Sequence, residues 1–133
     1  MALPAGGLFS TAGDLARLYL MLLAGGEIDG KRFISEAALK QMTVIHSADL
    51  KAGFTDGMGM GLGFQIVREP VGVTSMLSPG TYGHGGAYGT PGRIDPQKEM
   101  IYILLIQRSG LKNGDQSEMR QVFQEAAAAA VVK

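Results

Sequence analysis

The sequence predicts an α+β fold: an antiparallel sheet flanked by helices. Three observations predict it. Residues 11–24 repeat apolar side chains at helical spacing. Residues 100–106 form an unbroken apolar run bounded by turn signals, the pattern of a strand. The strand-like segments between are joined by turns too short for the crossovers that parallel strands require. The expected order is α-α-β-β-β-β-α.

The first helix is predicted over 11–24. Thr11 and Asp14 have capping-box spacing, and the acid falls in the first turn, where the helix dipole favours it. Leu15, Leu18, Tyr19 and Leu22 recur at i, i+3, i+4 and i+7 and define one apolar face. Gly25-Gly26 ends the helix. Residues 27–32 read as a polar turn. A second helix starts at the N-cap Ser35, carries Glu36 in its first turn and runs to about Thr43, with Ala38, Leu39 and Met42 as its buried stripe.

Residues 46–57 read as a loop. In GMGMGLGFQIV the glycines at 57, 59, 61 and 63 alternate with larger apolar residues, and a strand is predicted from about Leu62 to Arg68. A glycine face of this kind serves tight packing or lets a ligand or another backbone lie close. Residues 70–80 read as an irregular loop. TYGHGG and Arg93-Ile94-Asp95 read as strands, and Asp95-Pro96-Gln97-Lys98 as a type I turn. Met100–Ile106 is predicted as a strand covered on both faces at the centre of its sheet. Asp115 and Glu118 offer a capping box for a last helix to about Val131, with Met119, Val122, Phe123, Ala126 and Ala130 facing inward.

Composition narrows the function. The 133 residues are 46% hydrophobic, enough for one domain with a core. Lysine plus arginine and aspartate plus glutamate number twelve each, so no single-sign field invites nucleic acid. The chain has no cysteine, which excludes disulfides and thiolate chemistry, and its two histidines lie far apart, so no metal site is expected. No apolar run is long enough to span a membrane. The start has neither a basic nor an apolar leader region, so no signal peptide is expected, and a loop-like opening fits a piece of something longer.

The candidate chemistry centres on YGHGGAYGT, residues 82–90. Neither this stretch nor GMGMGLG fits the G-x-G-x-x-G spacing that cradles phosphates at a helix start, so nucleotide binding is not expected. Ser109-Gly-Leu-Lys112 has the Ser-x-x-Lys spacing of serine acyl enzymes. Gly110 interrupts it and it lies in a loop, so it reads as a chance match. His84 fits a structural role or a chemical one. Gly85 and Gly86 keep the neighbouring backbone open, so its N–H groups are available to a carbonyl oxygen.

These residues carry a resemblance. PAGGLFSTAGDLARLYLMLLAGG, GKRFISEAALKQMT, GMGLGFQIV and YGHGGAYGTPGRIDPQKEMIYILLIQ, followed by a terminal helix, resemble in order the C-terminal part of a serine β-lactamase-like protein. The likeness is to the group of class C β-lactamases, D-alanyl-D-alanine carboxypeptidases and related esterases. It implies a single domain over 1–133, helical in 1–50, with strands and the last helix in 58–133. It implies acyl transfer to a serine followed by hydrolysis, on β-lactams, D-alanyl peptides (as in peptidoglycan) or esters, with no cofactor and no metal.

By the resemblance, His84-Gly85-Gly86 is the family's third active-site motif, on a strand bordering the cleft. His84 lies near the substrate carboxylate and the nucleophile's proton network. The Ala87 N–H supplies half of an oxyanion hole, and Gly86 leaves room for the acyl group. Tyr82, Gly85, Gly86 and Tyr88 are expected on the substrate side. Histidine in place of the family's alternative lysine removes a permanent cation and favours an ester or peptide over a β-lactam. A helical Ser-x-x-Lys and a Tyr-x-Asn are absent; the family carries both upstream of PAGG. The expectation is half of an active site, inactive alone. The 100–107 strand would then pair with the absent N-terminal part or with a second copy, because bare apolar edges recruit partners. The alternatives are a non-catalytic binding or self-assembling module and a purely structural domain. Compartment stays open: the family is often periplasmic or secreted.

Overall fold

A computed structural model of the chain describes residues 6, 8–110 and 114–131. Two helices, α1 (Ala12–Leu23) and α2 (Glu36–Met42), are separated by a small hairpin, β1 (Glu27–Ile28) and β2 (Lys31–Arg32). Five strands follow: β3 (Met58–Met60), β4 (Gln65–Val67), β5 (Tyr82–His84), β6 (Gly92–Asp95) and β7 (Met100–Ile103). They form one antiparallel sheet in chain order. The last helix, α3, spans Glu118–Ala129. The α+β prediction with an antiparallel sheet is the architecture found.

Side-chain alternation divides the sheet into two faces. Register aligns Ile66, Tyr82, Ile94 and Ile101 across β4 to β7, and this row packs under α1 and α2 with Met21, Leu22 and Leu39. The next row, Gln65, Gly83, Arg93 and Tyr102, faces the opposite way. On that side Met58, Val67, Leu77 and Tyr102 form a second core against Phe123 and Ala127 of α3.

The predicted caps at Thr11 and Ser35 are present. Each side-chain oxygen accepts a hydrogen bond from the backbone N–H three residues on, Asp14 and Ala38. Tyr19 and Leu22 turn towards the core and Leu15 is half-buried, whereas Leu18 stays 45% exposed and Met21 takes its inward place. In α2 only Leu39 is buried, and Ala38 is exposed. The predicted polar turn at 27–32 closes the β1–β2 hairpin instead, in register Glu27 to Arg32, with Asp29 and Gly30 in the left-handed region at its tip.

The predicted strand at 62–68 shortens to β4, and the glycine-rich stretch before it forms β3 and the turn of a hairpin, closed by Gly61 N–H to Phe64 C=O at 2.8 Å. The glycine face serves close packing here. A Cβ on Gly61 would stand 2.2 Å from the Met42 carbonyl oxygen, where α2 ends. Within the loop at 70–80, Gly72–Thr74 forms a 3-10 turn.

Three further expectations are corrected. The 100–106 run is not central: β7 is the outermost strand, and only Tyr102 within it is buried. Apolar residues on both faces mark a covered strand wherever it stands in the order, so the run could not locate itself. TYGHGG forms β5, third of five strands, so it runs inside the sheet up to Gly83 and is open on the β4 side only from His84. The cap of α3 is Ser117, which accepts from the Arg120 N–H at 3.3 Å, and not Asp115. The helix is therefore rotated from the predicted face: Met119 and Val122 are exposed, while Arg120 and Gln124 are buried. The apolar stripe misled because buried polar residues take the inward positions.

Burial of tyrosines predicts a pH response. Burial pushes the Tyr82 phenol up to about 12. Tyr19 is raised by burial against a lowering by Arg93, and Tyr102 by burial and then by Asp95. An unfolded tyrosine loses its proton near ~10. Above that pH the unfolded chain releases protons that the fold retains, so unfolding gains with each step in pH. Stability is expected to fall as pH rises from the unfolded value through about 12. Arg93, lowered to about 9 by burial, acts in the opposite sense. The comparison with Tyr82→Phe isolates the phenol: urea midpoints should fall less steeply in that variant.

Candidate functional site: the His84–Ala87 segment

Pairing between β4 and β5 ends at Gln65 opposite Gly83. From His84 onward the β4-facing edge of the segment has no ladder partner, whereas His84 still pairs with Gly92 on the β6 side. The backbone edge left without a ladder partner therefore begins at His84, at the end of an interior strand. Alternation puts His84 on the α1 side of the sheet and Gly85 on the α3 side.

His84 is exposed, and its Nδ1 lies 2.7 Å from the carbonyl oxygen of Gly85. A carbonyl can only accept, so Nδ1 carries the proton and donates. That leaves Nε2 of the neutral ring as an acceptor. Ala87 is exposed, and its N–H makes no backbone hydrogen bond among the described residues. The segment closes on itself through Gly89 N–H to Gly86 C=O at 2.9 Å. Gly85 and Gly86 are half-buried. Tyr88 is 65% exposed beside them, whereas Tyr82 is 5% exposed and packs edge-on against Phe64, with ring centroids 5.2 Å apart.

Sequence reading missed what lies behind this segment. The 3-10 turn Gly114–Gln116 presses against it from the α3 side. A Cβ on Gly114 would fall 2.4 Å from the Gly89 nitrogen and 3.1 Å from the Gly86 oxygen. The turn is tied down by Arg120, whose Nη1 donates to the Asp115 carbonyl at 2.6 Å, by Thr55 Oγ1 to the same carbonyl at 3.4 Å, and by Gln116 Nε2 to the Phe54 carbonyl.

Two guanidiniums lie buried in this layer. Arg93 donates from Nη2 to Gln65 Oε1 at 2.6 Å, and Arg120 from Nε to Gln124 Oε1 at 3.2 Å. Arg93 Nε and Arg120 Nη2 meet no hydrogen-bond partner among the described residues. Burial lowers the pKa of Arg93, repulsion from Arg120 lowers it further, and Asp115 and Tyr19 oppose the shift. Burial also lowers Arg120, against Asp115. The signal available in the sequence was charged residues at helix-inward and strand-inward positions, which apolar periodicity passes over.

Ser109 is exposed in the coil after β7, and Lys112 lies outside the described residues. The described residues contain no group of three or more His, Cys, Asp or Glu able to hold a metal ion. No helix among them is long and apolar enough to cross a membrane.

The model of the family described as Beta-lactamase matches residues 1–127. The chain belongs to the β-lactamase family. Protein Rv1367c of Mycobacterium tuberculosis is 37% identical over 112 residues, covering 77% of this chain and 28% of that protein. A protein of Escherichia coli O157:H7 named "Putative D-alanyl-D-alanine carboxypeptidase" is 33% identical over 99 residues, covering 74% of this chain and 22% of that protein. The β-lactamase-family chain thus spans about a quarter of the length of these curated relatives. Family membership agrees with the resemblance read from five ordered sequence stretches.

Proposed function

We propose that residues 1–133 are the C-terminal part of a serine hydrolase domain of this family, and that they supply one wall of its acyl-transfer cleft. The observation that carries the reading is the open Ala87 N–H beside His84, just where β4 stops pairing with β5. A tetrahedral intermediate carries a negative oxygen, and a backbone donor held ready for it is among the strongest catalytic devices. His84 stands on the cleft side with Nε2 available to a substrate group or to a proton network. Gly85 and Gly86 leave the approach clear, and Tyr88 offers an exposed ring to the substrate. Tyr82 acts beneath them through packing. The substrates are D-alanyl peptides or esters ahead of β-lactams, since His84 brings no permanent cation to anchor a carboxylate.

The serine nucleophile belongs to a Ser-x-x-Lys helix outside these residues. Purified chain is expected to release nothing above the buffer blank from nitrocefin or a p-nitrophenyl ester. Release abolished by Ser109→Ala would show that the Ser109–Lys112 spacing is a working nucleophile.

A second reading, self-association, is favoured by β7. Its outer edge has no strand partner among the described residues, and Leu105 just beyond it is 46% exposed. Apolar strand edges pair with further strands, here those of a second copy or of the N-terminal part. Sedimentation of the purified chain is expected to give a dimer or larger species, which a lysine at the exposed Leu105 (Leu105→Lys) shifts towards monomer. A monomer at every concentration tested would remove this reading.

A further inference from the structure

Asp115 takes no part in the chemistry proposed above, yet it touches the segment that does. A Cβ built on Gly85 would stand 1.7 Å from Asp115 Oδ1 and 2.9 Å from its Cγ, and the three nearest atoms all belong to this one carboxylate. Asp115 is 8% exposed and lies on the α3 side of the sheet, away from His84. Arg120 fixes it, with Nη1 donating to its backbone carbonyl and standing 3.9 Å from Oδ1. Filling space behind a glycine would be better served by an apolar side chain, because a buried charge must be desolvated.

We propose that Asp115 is a positioning residue for the His84–Ala87 segment: its carboxylate seats against Gly85 and, with Gly114 against Gly86 and Gly89, fixes where the Ala87 N–H stands. Asp115 acts through the backbone of Gly85, and no reacting atom needs to touch it. The functional meaning rests on the acyl-transfer reading of the segment; the contact does not.

The test is a double-variant cycle on the whole chain with Gly85→Ala, Asp115→Ala and both together. Gly85 has an ordinary backbone conformation, so alanine there is opposed only by the carboxylate. The readout is hydrogen exchange at the Gly89 amide, whose bond to Gly86 closes the segment, taken relative to the β6 amides. Dividing by β6 removes any global loss of stability, so a residue that served the fold alone would leave the ratio unchanged. Each single variant is expected to raise the ratio about tenfold or more, and the double variant to return it to within about threefold of the parent, since contacting sites are non-additive. Ratios that multiply in the double variant, or that stay at the parent value in both singles, would overturn the proposal. The measurement needs no turnover, so its failure leaves the acyl-transfer reading standing, and absence of acyl transfer leaves the contact standing.

Discussion

Arg120→Ala is expected to lower the melting temperature by roughly 10 °C, the counterpart of about 3 kcal/mol in a domain of this size. Arg120 is fully buried. Its removal takes a guanidinium hydrogen bond from the Asp115 carbonyl and from Gln124 Oε1, and a buried cation from 3.9 Å beside the Asp115 carboxylate. Breaking a buried charge pair by deleting one partner typically costs ~3–5 kcal/mol. The lower end applies because Arg120 also repels Arg93, and that repulsion disappears with it. Native domains hold only ~5–15 kcal/mol in all, so the loss is a large fraction of the total. Arg120→Lys separates charge from geometry: the ammonium keeps the charge but lacks the planar fork that reaches both Asp115 and Gln124. It is expected to fall between the parent and the alanine variant in a thermal melt followed by circular dichroism.

Ala87→Pro is expected to cut kcat by about 10²–10³ in a protein that joins this chain to an upstream part carrying both the Ser-x-x-Lys helix and the Tyr-x-Asn. Proline removes the N–H, and Ala87 is the second residue of the turn closed by Gly89 N–H to Gly86 C=O, a position proline favours. The restriction proline puts on its predecessor falls on Gly86, which tolerates it. Ala87 is exposed and its N–H has no backbone partner among the described residues, so the fold loses no hydrogen bond. The melting temperature and KM should therefore change little while kcat falls, as for a contact made only in the transition state. Ala87→Gly keeps the donor and should stay within a few-fold of the parent.

The elements that showed in the sequence are those specified by local chemistry. Thr11 and Ser35 cap α1 and α2 because a side-chain oxygen three residues ahead of an orphan N–H is a local matter. The stretch at 84–87 was singled out because its glycines and histidine stand out against their neighbours. Long-range pairing was not legible. The place of β7 at the margin of the sheet depends on which strands are available to it, and an apolar run carries no record of that. The rotation of α3 depends on Gln124 donating to the Val73 carbonyl, 51 positions earlier, and on Arg120 folding back onto the Asp115 carbonyl. Asp115 itself looked like a helix cap, since Ser117 and Asp115 both offer oxygens near the start of α3. Only the fold brings its carboxylate against Gly85, thirty positions earlier.

The most direct test of the proposed division of labour is the intact mass of the protein after incubation with a β-lactam and with an activated ester. The 133-residue chain alone should gain no acyl adduct. The same chain joined to an upstream part that carries both the Ser-x-x-Lys helix and the Tyr-x-Asn should gain one, mapped by peptide fragmentation to the serine of that helix. An adduct on Ser109, or on any other serine within the 133 residues, would contradict the assignment of this chain as the wall of the cleft and not the source of its nucleophile.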